Sequence, residues 1–283
     1  MIRVTLRKQD GLGERAWLRS VVARAQAGLR DAGQKVNPDG KFGDATDDSV
    51  RQFQRAAGLP ETGVVSRSTW TALDPHVDVA LADQIRAMES QLPKFRGDLD
   101  WVHRQEAHKG HPYWPGGKSG VTLDPGVDLG QAPAGVIDQY RALTSTAQFD
   151  AIESAVGVTG DAARAALQAS PTLQSIRLGR EQAEALMPPS ARPYWRDIGK
   201  RFTSLRQPTT LGSVQTALLS LAYNRGAFNT DLGPLEPLLA GKQWVEVAER
   251  IGAMQQQDPN SGLARRRREE AFIIRVELDY LAE

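Results

Sequence analysis

Three apolar stripes at helical spacing lie within the first 75 residues, separated by glycine-bearing turns, and this punctuation constrains the segment to a small helical bundle. In "ERAWLRSVVARAQAGLRDAG" (14–33), Trp17, Val21, Ala25 and Leu29 recur four apart, and Gly33 stands where a left-handed C-cap belongs. The polar turn "NPDGKFGD" follows. Asp44 is expected to cap a second helix, with Asp47 and Asp48 in its first turn, where carboxylates favour the positive end of the helix dipole. Val50, Phe53 and Ala57 are its expected buried stripe, and Gly58 with Pro60 ends it. "ETGVVSRSTWTAL" then supplies a turn, a cap at Ser66 and a short helix that buries Trp70 and Leu73. Phe42 joins Phe53 and Trp70 as expected core, and Gly40 and Gly43 serve turns.

These residues also carry a resemblance. "DGKFGDATDDSVRQFQRAAGLPETGVVSRSTWTAL" (39–73) resembles the peptidoglycan-binding module of cell-wall hydrolases: a DG turn, FG, a Thr-bearing cap, FQ, GL, TG and a closing Thr-Trp, in order. The polar turn of Asp39, Lys41 and Asp44 is the expected ligand-contact region. Residues 1–76 form this expected domain. In "DPHVDVALADQIRAMESQLPKFRGD", Val79, Ala82, Ile85, Met88 and Leu92 predict a connecting helix, grouped with the second domain over 77–283.

Charge narrows the partners. Up to residue 75 the chain has 12 basic and 9 acidic residues, a net of +3; the remainder has 23 and 25, a net of −2. The total of +1 argues against a dedicated nucleic-acid binder. The mildly basic first part suits an anionic surface. There is no cysteine, hence no disulfide framework and no thiolate nucleophile or zinc ligand. No apolar run approaches the roughly 20 residues of a membrane span. "MIRVTLRKQDGLGERAW" lacks the apolar centre of a signal peptide. A soluble monomer that starts in the cytoplasm, without cofactor, is expected.

Chemistry concentrates after residue 98. Asp98 can cap a helix over "LDWVHRQEAHK", whose apolar positions Leu99 and Val102 lead on to Glu106. A carboxyl where a hydrophobe belongs is costly to ionise, which suits a proton donor for glycosidic cleavage. A Gly/Pro-rich loop, "GHPYWPGGKSG", precedes the hairpin "SGVTLDPGVDLG", with a turn at Asp124-Pro125-Gly126. Thr122 and Asp128 can face each other across its strands. Asp124 lies on the turn, where aspartate is ordinary, so Asp128 is the preferred second carboxylate and Asp124 the fallback.

Helix-borne glutamate, Gly-rich loop and a hairpin of the form G-V-T-x-x-x-G-x-D-L-G together resemble the active-site region of phage-type lysozymes, in particular the pesticin-like branch. "SVQTALLSLAYNRGAFN", with Tyr223, Asn224 and Gly226, resembles that family's core helix, and "GLARRRREEAFI" its closing elements, so the likeness covers about residues 98–275. It implies a mostly α chain: an N-terminal three-helix bundle plus an α+β lysozyme-like domain with a small hairpin lobe. It implies hydrolysis of the bond between N-acetylmuramic acid and N-acetylglucosamine, with Glu106 as proton donor, Thr122 positioning water and Asp128 as the second carboxylate. The family often has glycine where this chain has Asp124. The better-known phage lysozymes carry their aspartate six residues before the threonine, where this chain has Gly116. The biology implied is a phage endolysin, made in the host cytoplasm and admitted to the wall at lysis by a holin.

Other readings stand beside this one. A lytic transglycosylase needs the glutamate but no second carboxylate. His103, Glu106, His108 and His111 suggest a metal-dependent amidase, but H-E-x-x-H spacing is absent and His103 and His108 fall on different helix faces. A non-catalytic wall-binding virion protein would leave the Glu-Thr-Asp set unexplained. "RRRREE" (265–270) reads as the exposed face of a helix whose Phe272, Ile273, Val276 and Tyr280 meet the core. Tyr113 and Trp114 could equally stack a sugar or plug the core edge.

Overall fold

The structure is a computed structural model describing residues 2–106, 108–132 and 135–282; it is mostly helical, with one two-stranded antiparallel sheet, in agreement with the expected class. The chain divides into two compact units, Met1–Trp101 with Ile198–Glu283, and Val102–Asp197.

The first unit opens with a 3-10 segment, Gly13–Leu18, that passes into α1 (Arg19–Asp31); the expected helix is therefore tighter at its start. Two further helices, α2 (Asp44–Ala56) and α3 (Arg67–Ala80), pack with it around Leu18, Val22, Leu29, Phe42, Val50 and Trp70. Gly43, and not Asp44, is the N-cap of α2; Asp44 is its first residue and pairs with Lys8. Ala57 is exposed at the helix end, and the buried place is taken by Gln54. Ser66 does cap α3, but its hydroxyl meets that of Ser68 at 3.1 Å in place of a backbone amide. The third helix runs on through Pro75 to Ala80. It is followed by α4 (Ala82–Gln91), which buries none of its residues; of the expected stripe only Leu92, just beyond the helix, is buried. Then α5 (Leu99–Gln105) starts under Asp98, whose Oδ1 accepts the Trp101 amide at 2.9 Å, as the sequence leads one to expect. Ser20 Oγ donates to the other Asp98 oxygen at 2.5 Å, and Arg24 pairs with it, so α1 and the start of α5 share one buried carboxylate.

The second unit contains the hairpin β1 (Thr122–Leu123) and β2 (Val127–Asp128), then α6 (Thr146–Ser154), α7 (Gly160–Ala169), α8 (Pro171–Gln174) and most of α9 (Arg180–Arg201). Val121, Leu123, Val127 and Leu129 of the hairpin are buried with Tyr140, Phe149, Ile152 and Leu186. A full capping box starts α6: Ser145 Oγ accepts the Gln148 amide, and Gln148 returns a bond to the Ser145 amide.

The first unit resumes with α10 (Gly212–Arg225), buried from Gly212 through Tyr223, then α11 (Leu235–Ala240), α12 (Trp244–Gly252) and α13 (Gly262–Ala282). The "RRRREE" run is not simply an exposed face. Arg266 and Arg267 are buried with Glu270, which accepts from Ser220 Oγ at 2.5 Å and Arg267 Nη2 at 2.7 Å. Phe272, expected in the core, is 46% exposed, while Ile273, Ile274 and Tyr280 are buried.

Candidate functional site

Glu106 is the residue whose setting departs most from expectation. The helix ends at Gln105, and Glu106 sits half-buried in a bend, its amide donating to His103 O at 3.0 Å in a 3-10-type closing turn. It is thus not on the helical stripe of Leu99 and Val102; the helix ends one residue earlier. What the bend does is lay the carboxyl against the hairpin. A Cβ on Gly126 would fall 2.9 Å from Glu106 Oε2 and 3.2 Å from its Cγ, and Gly126 has φ +94°, so glycine is required there twice over.

The hairpin supplies the other two residues. Thr122 and Asp128 are register partners, so their side chains share one face with Cβ atoms about 5 Å apart. Tyr113 extends the pairing, donating to Thr122 O at 3.1 Å and accepting the Thr122 amide at 2.7 Å. The Thr122 hydroxyl is buried and makes no hydrogen bond among the described residues. Asp128 Oδ1 accepts the amides of Gly120 at 2.8 Å and Gly130 at 2.9 Å, which fixes the carboxylate. A Cβ on Gly120 would lie 2.5 Å from that oxygen, so a bare backbone is needed for the approach.

Asp124 is fully engaged elsewhere. Its carboxylate accepts the Gly110 amide at 2.6 Å and the Lys109 amide at 3.1 Å and lies 2.7 Å from His108 Nδ1, while its carbonyl accepts Tyr140 Oη at 2.7 Å. It clamps the loop after α5 onto the hairpin turn. The remaining histidines of the cluster go their own ways: His103 is buried, and His111 Nδ1 lies 2.9 Å from Pro112 O. Among the described residues, no group of three His, Cys, Asp or Glu side chains could hold a metal ion. Trp114 lies at the core edge with Nε1 on Ser119 O at 3.0 Å and Arg164 over its ring.

The expected ligand-contact turn has its own logic. Buried Gln26 donates to Lys41 O at 3.0 Å, Asp39 Oδ1 at 3.1 Å and Thr46 Oγ1 at 2.9 Å, and accepts the Gly40 amide at 2.8 Å. Asp39 also receives the Lys41 amide at 2.8 Å. These bonds hold the turn, with Asp39, Lys41 and Asp44 exposed on it. A second glutamine repeats the device: Gln54 donates to Val64 O, Thr62 Oγ1 and Thr69 Oγ1 and accepts the Gly63 amide.

Residues 19–73 match the family model described as "Putative peptidoglycan binding domain". The N-terminal part of the chain therefore carries a peptidoglycan-binding module. No curated protein matches the chain. Among solved structures, the "Crystal structure of Burkholderia AP3 phage endolysin" is similar at 17% identity over 99% of this chain and 99% of that one, with a TM-score of 0.23, which carries no argument about fold or activity.

Beyond the module, the second unit holds a residue that sequence reading passed over. Tyr194 on α9 has its phenol pushed up to about 12, by burial first and then by the charges of Asp128 and Glu106. The Tyr113 phenol is raised by burial and then by Glu106, Asp124 and Asp128. Two phenols thus feel the same two carboxyls. No signal pointed to Tyr194, because "MPPSARPYW" places three prolines in what proves to be one helix.

Proposed function

We propose that the chain is a peptidoglycan hydrolase of the muramidase type, with residues 1–76 attaching to the wall and 77–283 cleaving it. The observation that supports this is the meeting of Glu106 with the hairpin: its carboxyl lies on Gly126, in the turn between strands that hold Thr122 opposite Asp128. In this reading protonated Glu106 protonates the leaving glycosidic oxygen. The Asp128 carboxylate stabilises the oxocarbenium-like transition state and, with the Thr122 hydroxyl, orients the attacking water. The rigid hold of two backbone amides on Asp128 serves preorganisation, and the unspent hydrogen-bonding capacity of Thr122 suits a water or sugar hydroxyl. The engagement of Asp124 in the loop clamp makes it a positioning group and favours Asp128 as the second carboxylate. Acting as a phage endolysin, the protein would reach the wall from the host cytoplasm at lysis.

The test is turbidity loss of purified peptidoglycan, with mass spectrometry of the fragments. Wild type should release reducing muramic-acid ends, and Glu106→Gln and Asp128→Asn should each fall about a hundred- to ten-thousand-fold. Undiminished activity of Glu106→Gln would sink the site. Full activity of Asp128→Asn with 1,6-anhydro products would make the protein a lytic transglycosylase.

A further inference from the structure

The first unit carries an aromatic cleft that the reaction above does not use. Trp17 and Phe272 meet edge to face, with centroids 4.9 Å apart and planes at 77°. Phe272 keeps 46% of its surface exposed although Ile273 and Ile274 beside it on α13 are buried. The pair lines a cleft of ≈ 630 Å³, and with Glu14 it also lines a neighbouring one of ≈ 420 Å³ that reaches Tyr280. The aromatic pair is therefore shared by two adjoining hollows, each within the size range of a small-ligand site (roughly 300–1,000 Å³).

The charges around the larger cleft identify the ligand class. Arg265, Arg268 and Arg275 face Glu14, Glu249 and Glu269, three of each sign. Arg265 lies 3.8 Å from Glu269, and Arg268 donates to Gln256 at 2.8 Å. Arg275, Glu14 and Glu249 enter no ion pair among the described residues. An anionic lipid surface or a nucleic acid would call for a net positive lining, and this one is balanced. A ligand with an apolar face and charges of both signs matches it: sugar C–H faces stack on aromatic rings, carboxylates pair with arginines and an ammonium pairs with glutamates.

We infer that this cleft is a second peptidoglycan subsite, which takes a disaccharide with its zwitterionic peptide stem. The inference rests on the reading that the chain acts on peptidoglycan, and it assigns to α13 a share in wall attachment beyond the turn of Asp39, Lys41 and Asp44.

The experiment uses the full chain with Glu106→Gln, so that the wall is bound and not degraded, in cosedimentation with purified sacculi. Phe272→Ser and Arg275→Glu are added singly, both at exposed positions, with thermal melts to verify folding. Each should weaken the apparent Kd roughly tenfold, the size expected for a central aromatic or arginine contact. If Phe272→Ser fails to fold, Arg275→Glu alone decides. Binding within twofold of the parent in the folded variants overturns the subsite while leaving the functional reading intact. Absence of sacculus binding by the Glu106→Gln parent overturns the functional reading itself. Loss of binding to phosphatidylglycerol–cardiolipin vesicles, with sacculus binding unchanged, would make the cleft a membrane contact and also overturn it.

Discussion

Thr122 and Asp128 share one face because they are register partners, and a shift of one residue would send Asp128 to the other. That much was legible from spacing. Tyr194 was not, since nothing in a proline-rich segment says that its phenol will lie within electrostatic reach of both carboxyls. With its phenol held neutral to about pH 12, Tyr194 is a hydrogen-bond donor throughout the working range. Tyr194→Phe should lower peptidoglycan turnover about tenfold and alter the pH profile, with the thermal melt at pH 7 nearly unchanged. His103 makes a separate prediction. Burial is the main cause that lowers its pKa, with Arg180 and His108 acting in the same sense and Glu184 and Asp124 against it. The unfolded chain therefore binds the extra proton first as pH falls below about 6.5, the ordinary histidine value. Stability should drop below that pH and level off beneath the lowered folded-state value. Denaturant melts from pH 7.5 to 5 should show this loss in wild type and a smaller one in His103→Gln.

Elements were read well at the caps Ser66 and Asp98, and less well at Asp44, which follows its cap, and at Val79, Ala82, Ile85 and Met88, which are not buried. Asp98 was recognised as a cap, but not as the carboxylate that Ser20 and Arg24 also grip, because those partners come from a helix more than 70 residues away. Removing it costs a cap and leaves Arg24, 11% exposed, without its counter-charge. Asp98→Ala should therefore destabilise the protein by about 3 kcal/mol in urea melts. Gly126 carries the opposite kind of prediction. An alanine there must adopt φ +94° and press on the Glu106 carboxyl, so Gly126→Ala should cost roughly 1–2 kcal/mol of stability. Its loss of turnover should be greater, tenfold or more, which kinetics on the folded variant would show. The two glutamine-centred turns are a further case: Gly40 with Thr46 and Gly63 with Thr69 stand at the same spacing, yet the duplication is visible only once Gln26 and Gln54 are seen filling the same place.

At the scale of the whole molecule, sequence reading had no means to see that Tyr280 belongs to the core of the binding module. Val276 packs on the same cluster, which otherwise runs from Ile2 to Val77. Tyr280→Ala should lower the melting temperature of the module, and residues 1–76 expressed alone should melt below their counterpart in the full chain. Periodicity identifies which face of α13 is apolar, but not which core it meets 200 residues back along the chain. The same arrangement bears on the response to a protease. Because residues before 101 and after 198 share one compact unit, a single nick anywhere between them severs the backbone without parting the flanks. The two fragments should elute together from a sizing column and separate only in denaturant, so that a cleaved molecule stays in one piece.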